Sequence, residues 1–233
     1  MNEGLYRAVG AMRAAERRID ITSNNLANLS THGYKRKQAT QQEFQVLTDR
    51  GEGTGLGTRG VTDFSQGPTD RTGYPLHLAL RGPGFFAVDS PNGEVYTRNG
   101  QFELNLDGEF VTPDGMSVVW EERLGSYQTG GPDPVIESNG EVHQGQIRLG
   151  RLRFVDFENY EGLDELAGGY YAADRTAVLT NTSAEVAQGE LEMSNSTGID
   201  EMVELITNQR GYELAARMVQ TIDESYQRLN RPT

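Results

Sequence analysis

Apolar and polar positions alternate in three ways along the chain. Leu5, Val9, Met12, Ile19 and Leu26 recur at intervals of four, three, seven and seven residues, with Ala8 and Ala15 beside the same stripe. Side chains three and four apart share one helix face, so the spacing predicts an amphipathic helix over residues 3–28. Glu16 and Ser23 interrupt the stripe. The turn formers of Asn28-Leu29-Ser30-Thr31-His32-Gly33 end it near Asn28. Toward the other end, Leu205, Asn208, Tyr212, Ala215, Val219, Ile222, Tyr226 and Leu229 alternate three and four residues apart. This is a heptad seam, widened at its start by Met202 and Ile206. Ser196, Thr197 and Gly198 offer a cap, Asp200 and Glu201 fall in the first turn, and Arg228 lies in the last, as a helix dipole favours. A second helix is expected over 199–229.

Between the helices the period changes to that of strands. Asn92-Gly93, Asn99-Gly100, Asp107-Gly108 and Asp114-Gly115 follow one another at spacings of 7, 8 and 7 residues. Such pairs tolerate the positive φ of tight hairpin turns. With the short pieces 85–88, 94–97, 101–104, 109–112 and 117–120 they predict a meander of five strands. Further strands are expected at 146–149, 152–157, 170–172 and 177–179. Residues 125–145 are polar and rich in Gly and Pro and read as a loop excursion. Residues 48–60 carry five glycines and read as a flexible connector. The expected fold class is α+β: paired N- and C-terminal helices in a coiled-coil layer, with an inserted antiparallel all-β domain. Residues 1–40 and 194–233 form the helical part, 41–75 the connector and 76–193 the β-domain.

Charge sharpens this division. The chain of 233 residues has 34 acidic and 21 basic side chains, a formal charge of -13. Residues 61–193 hold 22 of the acids against 8 basic residues, so the middle is an acidic block between nearly neutral ends. That balance excludes a general nucleic-acid binder. The absence of cysteine removes disulfides, thiolate metal sites and thiol nucleophiles. No apolar run is long enough to span a bilayer, and no basic segment followed by an apolar stretch marks a cleavable signal peptide. Two exposed apolar stripes need a partner. Either they pack on the β-domain within one core, or they are buried against other copies, and the heptads favour helix against helix.

Several segments then resemble one family. Ser23-Asn24-Asn25-Leu26-Ala27-Asn28 with Thr31, Gly33, Tyr34 and Lys35 resembles the "NNLAN" helix end and Thr-x-Gly-Tyr-Lys turn of flagellar rod and hook proteins. Pro75-Leu76-His77 through Gly82-Pro83-Gly84-Phe85-Phe86 is similar to that family's Gly-Asp-Gly-Phe-Phe segment, and Tyr96-Thr97-Arg98-Asn99-Gly100 to its Tyr-Thr-Arg-Asp-Gly. Ser194-Asn195, Glu201-Met202 and Gln209-Arg210-Gly211-Tyr212-Glu213 resemble its C-terminal pattern. His77, Pro83 and Gly211 depart from it and are expected to make local changes only. The rod subgroup fits better than the hook subunit, with the distal rod slightly favoured over the proximal by Gly55-Leu56-Gly57-Thr58-Arg59 and by Gln209-Arg210-x-Tyr212.

The resemblance implies a structural subunit of the flagellar basal-body rod. It implies helical self-assembly into a hollow periplasmic shaft that transmits torque from motor to hook. The partners implied are further copies, other rod and hook proteins, the flagellar type III export apparatus and surrounding ring proteins, with no cofactor and no membrane insertion. The subunit interface is expected along the two stripes named above.

Sharper chemistry finds little support. His32, His77 and His143 are far apart in sequence, and acidic pairs such as Glu121-Glu122 and Asp164-Glu165 are what 34 acids give by chance, so no enzyme is expected. Asn105-Leu106-Asp107-Gly108-Glu109 lacks the spaced acids of a calcium loop and reads as a hairpin turn. Lys35-Arg36-Lys37 is either a solvated turn or a contact to acids of a neighbouring copy. From the residues alone, the alternative to a rod subunit is a secreted oligomeric β-domain binding module.

Overall fold

The structure, a computed structural model, describes residues 3–48, 51–180 and 182–229. It leaves the side chains of 3–7, 42–48, 51–56, 226, 228 and 229 outside that description. The seam side chains of Leu5, Tyr226 and Leu229 therefore lie outside the described residues. The chain divides into two compact units. One comprises residues 1–29, 36–64 and 196–233, the other 30–35 and 65–195. No helix among the described residues is long and apolar enough to cross a membrane.

The first unit holds helix α1 (Glu3–Ala27), strands β1 (Lys37–Thr48) and β2 (Gly51–Thr62), and helix α2 (Gly198–Leu229). α1 ends where the Asn28 amide bonds the carbonyls of Asn24 and Asn25. α2 begins at Thr197, whose hydroxyl donates to Asp200 and whose carbonyl accepts from the Glu201 amide. The helices pack antiparallel: Asn208 Nδ2 donates to Thr22 Oγ1 at 3.2 Å and Asn25 Nδ2 to Glu201 Oε2 at 3.1 Å. Ala8, Ala15, Thr22 and Asn25 of α1 and Glu201, Asn208 and Ala215 of α2 are buried. The small side chains sit at the centre of the contact, and Val9, Met12, Ile19, Leu26, Leu205, Tyr212, Val219 and Ile222 are half-buried. Met202 and Ile206, which the heptad reading puts beside Leu205, are exposed instead. At 100° per residue they fall on the side of α2 away from Glu201, Asn208 and Ala215.

Residues 48–60 are not a flexible connector in this fold. Outside positions 49 and 50 they belong to an antiparallel pair of twelve-residue strands, running from Lys37 opposite Thr62 to Thr48 opposite Gly51. Glycine costs a strand some stability but blocks no ladder hydrogen bond, and the buried Ile21 of α1 packs against the backbone at Gly60.

The second unit begins with β3 (Thr69–Arg71), β4 (Leu78–Arg81), β5 (Phe85–Ser90), β6 (Gly93–Thr97), β7 (Glu103–Leu104), β8 (Phe110–Val111) and β9 (Ser117–Val118). It continues with β10 (Trp120–Arg123), β11 (Pro134–Ile136), β12 (Glu141–Gln144), β13 (Ile147–Leu152), β14 (Phe154–Phe157), β15 (Leu163–Glu165), β16 (Tyr170–Ala173), β17 (Leu179–Thr180), β18 (Glu185–Gln188) and β19 (Glu190–Glu192). The largest sheet has the order β15-β16-β6-β5-β9-β8-β7, with β14 bridging β5 and β17. A second sheet has the order β10-β13-β12-β11, and β18 pairs β4 as β19 pairs β3. The core gathers Leu78, Leu80, Phe86, Val88, Phe102, Phe110, Val142 and Leu152. The class is thus α+β with an antiparallel β-domain.

The meander breaks at Asn99-Gly100. Gly93, Gly108 and Gly115 have the positive φ of turn residues, whereas Gly100 is not among the positive-φ glycines. Its backbone lies so close to Leu78 that an added Cβ would overlap the Leu78 carbonyl oxygen. The Leu78 amide donates to the Gly100 carbonyl, and His77 bridges Gln101, so this segment pairs toward β4 and β6 never meets β7. Residues 125–145 also differ from the expected loop. Pro134, Ile136, Val142 and Gln144 turn inward on alternate positions, which makes β11 and β12 a hairpin.

Two outcomes are expected. Gly100→Val destabilises the β-domain by about 3 kcal/mol, as overpacking against fixed backbone does, measured by urea unfolding. Burial, with Asp114 accepting from the Tyr170 hydroxyl at 2.6 Å, pushes Tyr170 up to about 12. Burial and Glu94 push Tyr96 up to about 12 as well. Raised values favour the protonated native state, so this stabilisation is complete below pH 10, the unfolded tyrosine value, and is lost as pH rises toward 12. Tyr170→Phe flattens that decline in unfolding experiments from neutral pH to pH 12.

Candidate functional site

The chain passes between its two units at 29/30, 35/36, 64/65 and 195/196, and at the second of these Lys35 and Arg36 are consecutive. Each is tied within its own unit to a carboxylate that has no exposed surface.

In the β-domain the carboxylate is Glu192, the last residue of β19. Its Oε1 accepts from Lys35 Nζ at 2.6 Å and from the Gly67 amide at 3.0 Å, and its Oε2 accepts from Arg98 Nη1 at 3.2 Å. The Lys35, Glu192 and Arg98 side chains are 1 %, 0 % and 3 % exposed. Lys35 also donates to the Ser65 carbonyl at 2.7 Å, and Arg98 to the Gly82 carbonyl at 2.8 Å. The guanidinium lies 5.4 Å from the centre of the Phe85 ring, which in turn packs edge-on against Tyr171, Phe157 and Tyr160. Burial, with the charges of Glu165, Tyr34 and Glu192, drives the Tyr171 hydroxyl far above its ordinary value. The turn carrying Lys35 is held by the Gly33 amide, which donates to the Glu192 carbonyl at 2.8 Å. Gly33 has φ +68, and a Cβ there would overlap the Arg98–Asn99 peptide. Only glycine meets both demands.

In the helical unit the carboxylate is Glu201, in the first turn of α2. Arg36 Nε donates to its Oε1 and Asn25 Nδ2 to its Oε2, while Arg36 Nη2 reaches Glu204 at 2.8 Å. Asn25 also exchanges two hydrogen bonds with the Lys37 backbone, at 2.8 and 2.9 Å, and so fixes where β1 leaves α1. Burial works against the Arg36 charge, but Glu201, Glu204 and Asp63 outweigh it and push its pKa up.

The expected motif residues divide accordingly. Gly33, Tyr34, Lys35, Gly82, Phe85 and Arg98 come together around Glu192, and Gly84 and Phe86 lie buried beside them. Asn25 joins Glu201. Asn24 and Asn28 close the end of α1 through side chain to backbone bonds, Ala27 is its last residue, and Thr31 accepts from the Tyr34 amide. Gln209, Arg210 and Glu213 do not join either cluster and face solvent along α2, with Tyr212 half-buried. The Lys35-Arg36 segment is therefore an internal tie rather than a solvated turn. Glu192 lies outside every motif, and only its place just before Ser194-Asn195 could have marked it. In the loop 105–109, Asn105 Oδ1 accepts the Asp107 and Glu109 amides, and Glu109 pairs with Arg123 at 3.0 Å, so the oxygens close the hairpin turn.

These features define a class: an α+β subunit with one unit in which the N- and C-terminal helices pair antiparallel around a buried carboxylate, and a second, antiparallel β-domain in which another buried carboxylate seats a turn. Comparison with known proteins gives the family. Three family models match in chain order: "Flagella basal body rod protein" over residues 5–35, "Flagellar hook protein FlgE/F/G D1 domain" over 79–151 and "Flagellar basal body rod FlgEFG protein C-terminal" over 187–231. The flagellar basal-body rod protein FlgG of Buchnera aphidicola subsp. Schizaphis graminum is 30 % identical over 99 % of this chain and 100 % of its own length. FlgF of Caulobacter vibrioides is 33 % identical over 96 % and 95 %, and FlgG of Bacillus subtilis 28 % over 98 % of each. The chain belongs to the family of flagellar basal-body rod proteins.

Removing the charge of Glu192 leaves Lys35 and Arg98 without their carboxylate away from water. Glu192→Gln is expected to cost about 3–5 kcal/mol of β-domain stability in urea unfolding. Gly33→Val is expected to lower the midpoint similarly, by forcing Lys35 off Glu192.

Proposed function

We propose that this rod protein is a structural subunit that assembles helically with further copies into a hollow shaft carrying torque from motor to hook, and that it has no catalytic role. On this reading it works in the periplasm, reaches it through the flagellar type III export apparatus, and meets other rod and hook proteins and the rings around them. Family membership supports the rod assignment. Gly55-Leu56-Gly57-Thr58-Arg59 and Gln209-Arg210-x-Tyr212 favour the distal over the proximal rod, although the matched relatives carry both the FlgG and the FlgF name.

The observation that carries the assembly reading is the outward face of α2. Ile199, Met202, Val203, Ile206 and Leu214 are 51–79 % exposed and fall on the side of the helix away from its buried residues. Ile199, Met202, Val203 and Ile206 form an apolar patch at the start of this face and Leu214 follows beyond the charged Arg210, and exposed apolar surface on a helix already packed on its other side calls for a partner. Covering each such side chain contributes about 1.5–3 kcal/mol.

Ile206→Asp and Leu214→Asp are expected to weaken polymerisation at least about tenfold, followed by light scattering and electron microscopy, and to abolish motility in cells that carry only the variant, while circular dichroism stays unchanged. Leu205→Asp, on the packed side, is expected to melt the helix pair instead. Normal filaments from both outward-face variants would defeat the proposal.

A further inference from the structure

We propose that Glu137, Glu141 and His143 form a binding site for one divalent transition-metal cation of the zinc type on the outer face of the β11–β12 hairpin. The register makes the site. Val135 lies opposite His143 and Ile136 opposite Val142, and the Glu137 amide donates to the Glu141 carbonyl at 2.9 Å, so Glu137 lies opposite Glu141. Positions two apart on a strand share a face, which puts Glu141 and His143 together with Glu137 across from them. Ile136 and Val142 point the other way, into the core.

The three side chains bring their ligand atoms within 4.8 Å of one another. His143 Nε2 lies 3.6 Å from Glu137 Oε1 and 4.0 Å from Glu141 Oε2. Both separations are too long for hydrogen bonds, and Nε2 is closed off from solvent with no hydrogen-bond partner. A buried polar nitrogen left in this state is costly. A cation about 2.0–2.2 Å from nitrogen and carboxylate oxygen would satisfy all three once the two carboxylates turn slightly inward toward it.

The neighbouring cations leave the site open. Arg148 takes Glu141 Oε1 at 2.8 Å and Glu122 at 2.9 Å, so Oε2 remains the oxygen turned toward His143. A carboxylate ligand oriented by a second hydrogen bond is the arrangement that metal sites use. Arg151 leans to Glu121 at 3.6 Å. Burial raises the Glu141 pKa, but the hydrogen bond with Asn139 and the charges of Arg148 and Arg151 outweigh it, so Glu141 is held below the usual carboxylate range and is ionised at neutral pH. Imidazole with two carboxylates selects zinc-like ions, since calcium and magnesium prefer all-oxygen shells. The bound ion would clip the two strands across their turn.

The test uses the full chain and zinc chloride. Isothermal titration is expected to show one saturable equivalent, weakened at least about tenfold by His143→Gln and by Glu137→Gln, with magnesium and calcium failing to compete. In the unaltered protein, zinc is expected to shift the His143 imidazole resonances and leave those of His32 and His77 in place, a readout that needs no variant to fold. Zinc affinity unchanged by His143→Gln, a His143 signal that zinc does not move, or calcium moving it equally well would each overturn the site.

Discussion

Everything in the helical unit follows from the burial of one carboxylate. Glu201 has no exposed surface and sits in the first turn of α2, where a negative charge is favourable but cannot remain unpaired away from water. Arg36 and Asn25 are its partners. Because they come from the strand start and the helix end of the opposite chain terminus, they fix which side of α2 turns toward α1. Asn208 and Ala215 follow at helical spacing on that side, and the rest of the helix has no rotational choice. Its other side carries Ile199, Val203, Ile206 and Leu214, so the same pairing that closes the helix pair leaves an apolar stripe outside it.

Glu192 plays the corresponding part in the β-domain, with a different balance of charge. Two cations share one carboxylate, Lys35 Nζ donates further to the Ser65 carbonyl and Arg98 Nη2 to the Gly82 carbonyl, and Arg98 Nε is left without a hydrogen-bond partner. A buried arrangement of this kind is weak evidence for net stability. It does specify geometry, since few positions of the turn at 30–35 satisfy all these groups together. Lys35 and Arg36 being neighbours means that the seat of the turn and the setting of α2 are encoded by consecutive residues.

What could be read from the sequence was what is local. The helix limits follow from 3.6-residue periodicity, turn formers and caps, and they fall within a residue or two of α1 and α2. The turn glycines at 93, 108 and 115 were legible because φ tolerance is a property of the dipeptide itself. Asn99-Gly100 was misread for the same reason: the dipeptide reports tolerance and says nothing about which strand claims the ladder. The strand at 51–62 was hidden because glycine carries no alternation. Lys35 and Glu192 are 157 positions apart, and Arg98 and Glu192 are 94 apart, so no window along the chain contains them together. The Glu137, Glu141 and His143 group was masked by a loop-like composition that folds as a hairpin.

The claim that joins these parts is that the outward face of α2 is closed by another copy when the shaft forms. The chain has no cysteine, so a single one can carry a spin label without interference. The most direct measurement is the mobility of a label on Leu214→Cys before and after assembly, beside one on Thr129→Cys in the exposed loop ahead of β11. The account predicts that the label at 214 becomes immobilised in the polymer while the label at 129 does not. A label at 214 that stays as mobile in the polymer as in the free subunit would contradict it.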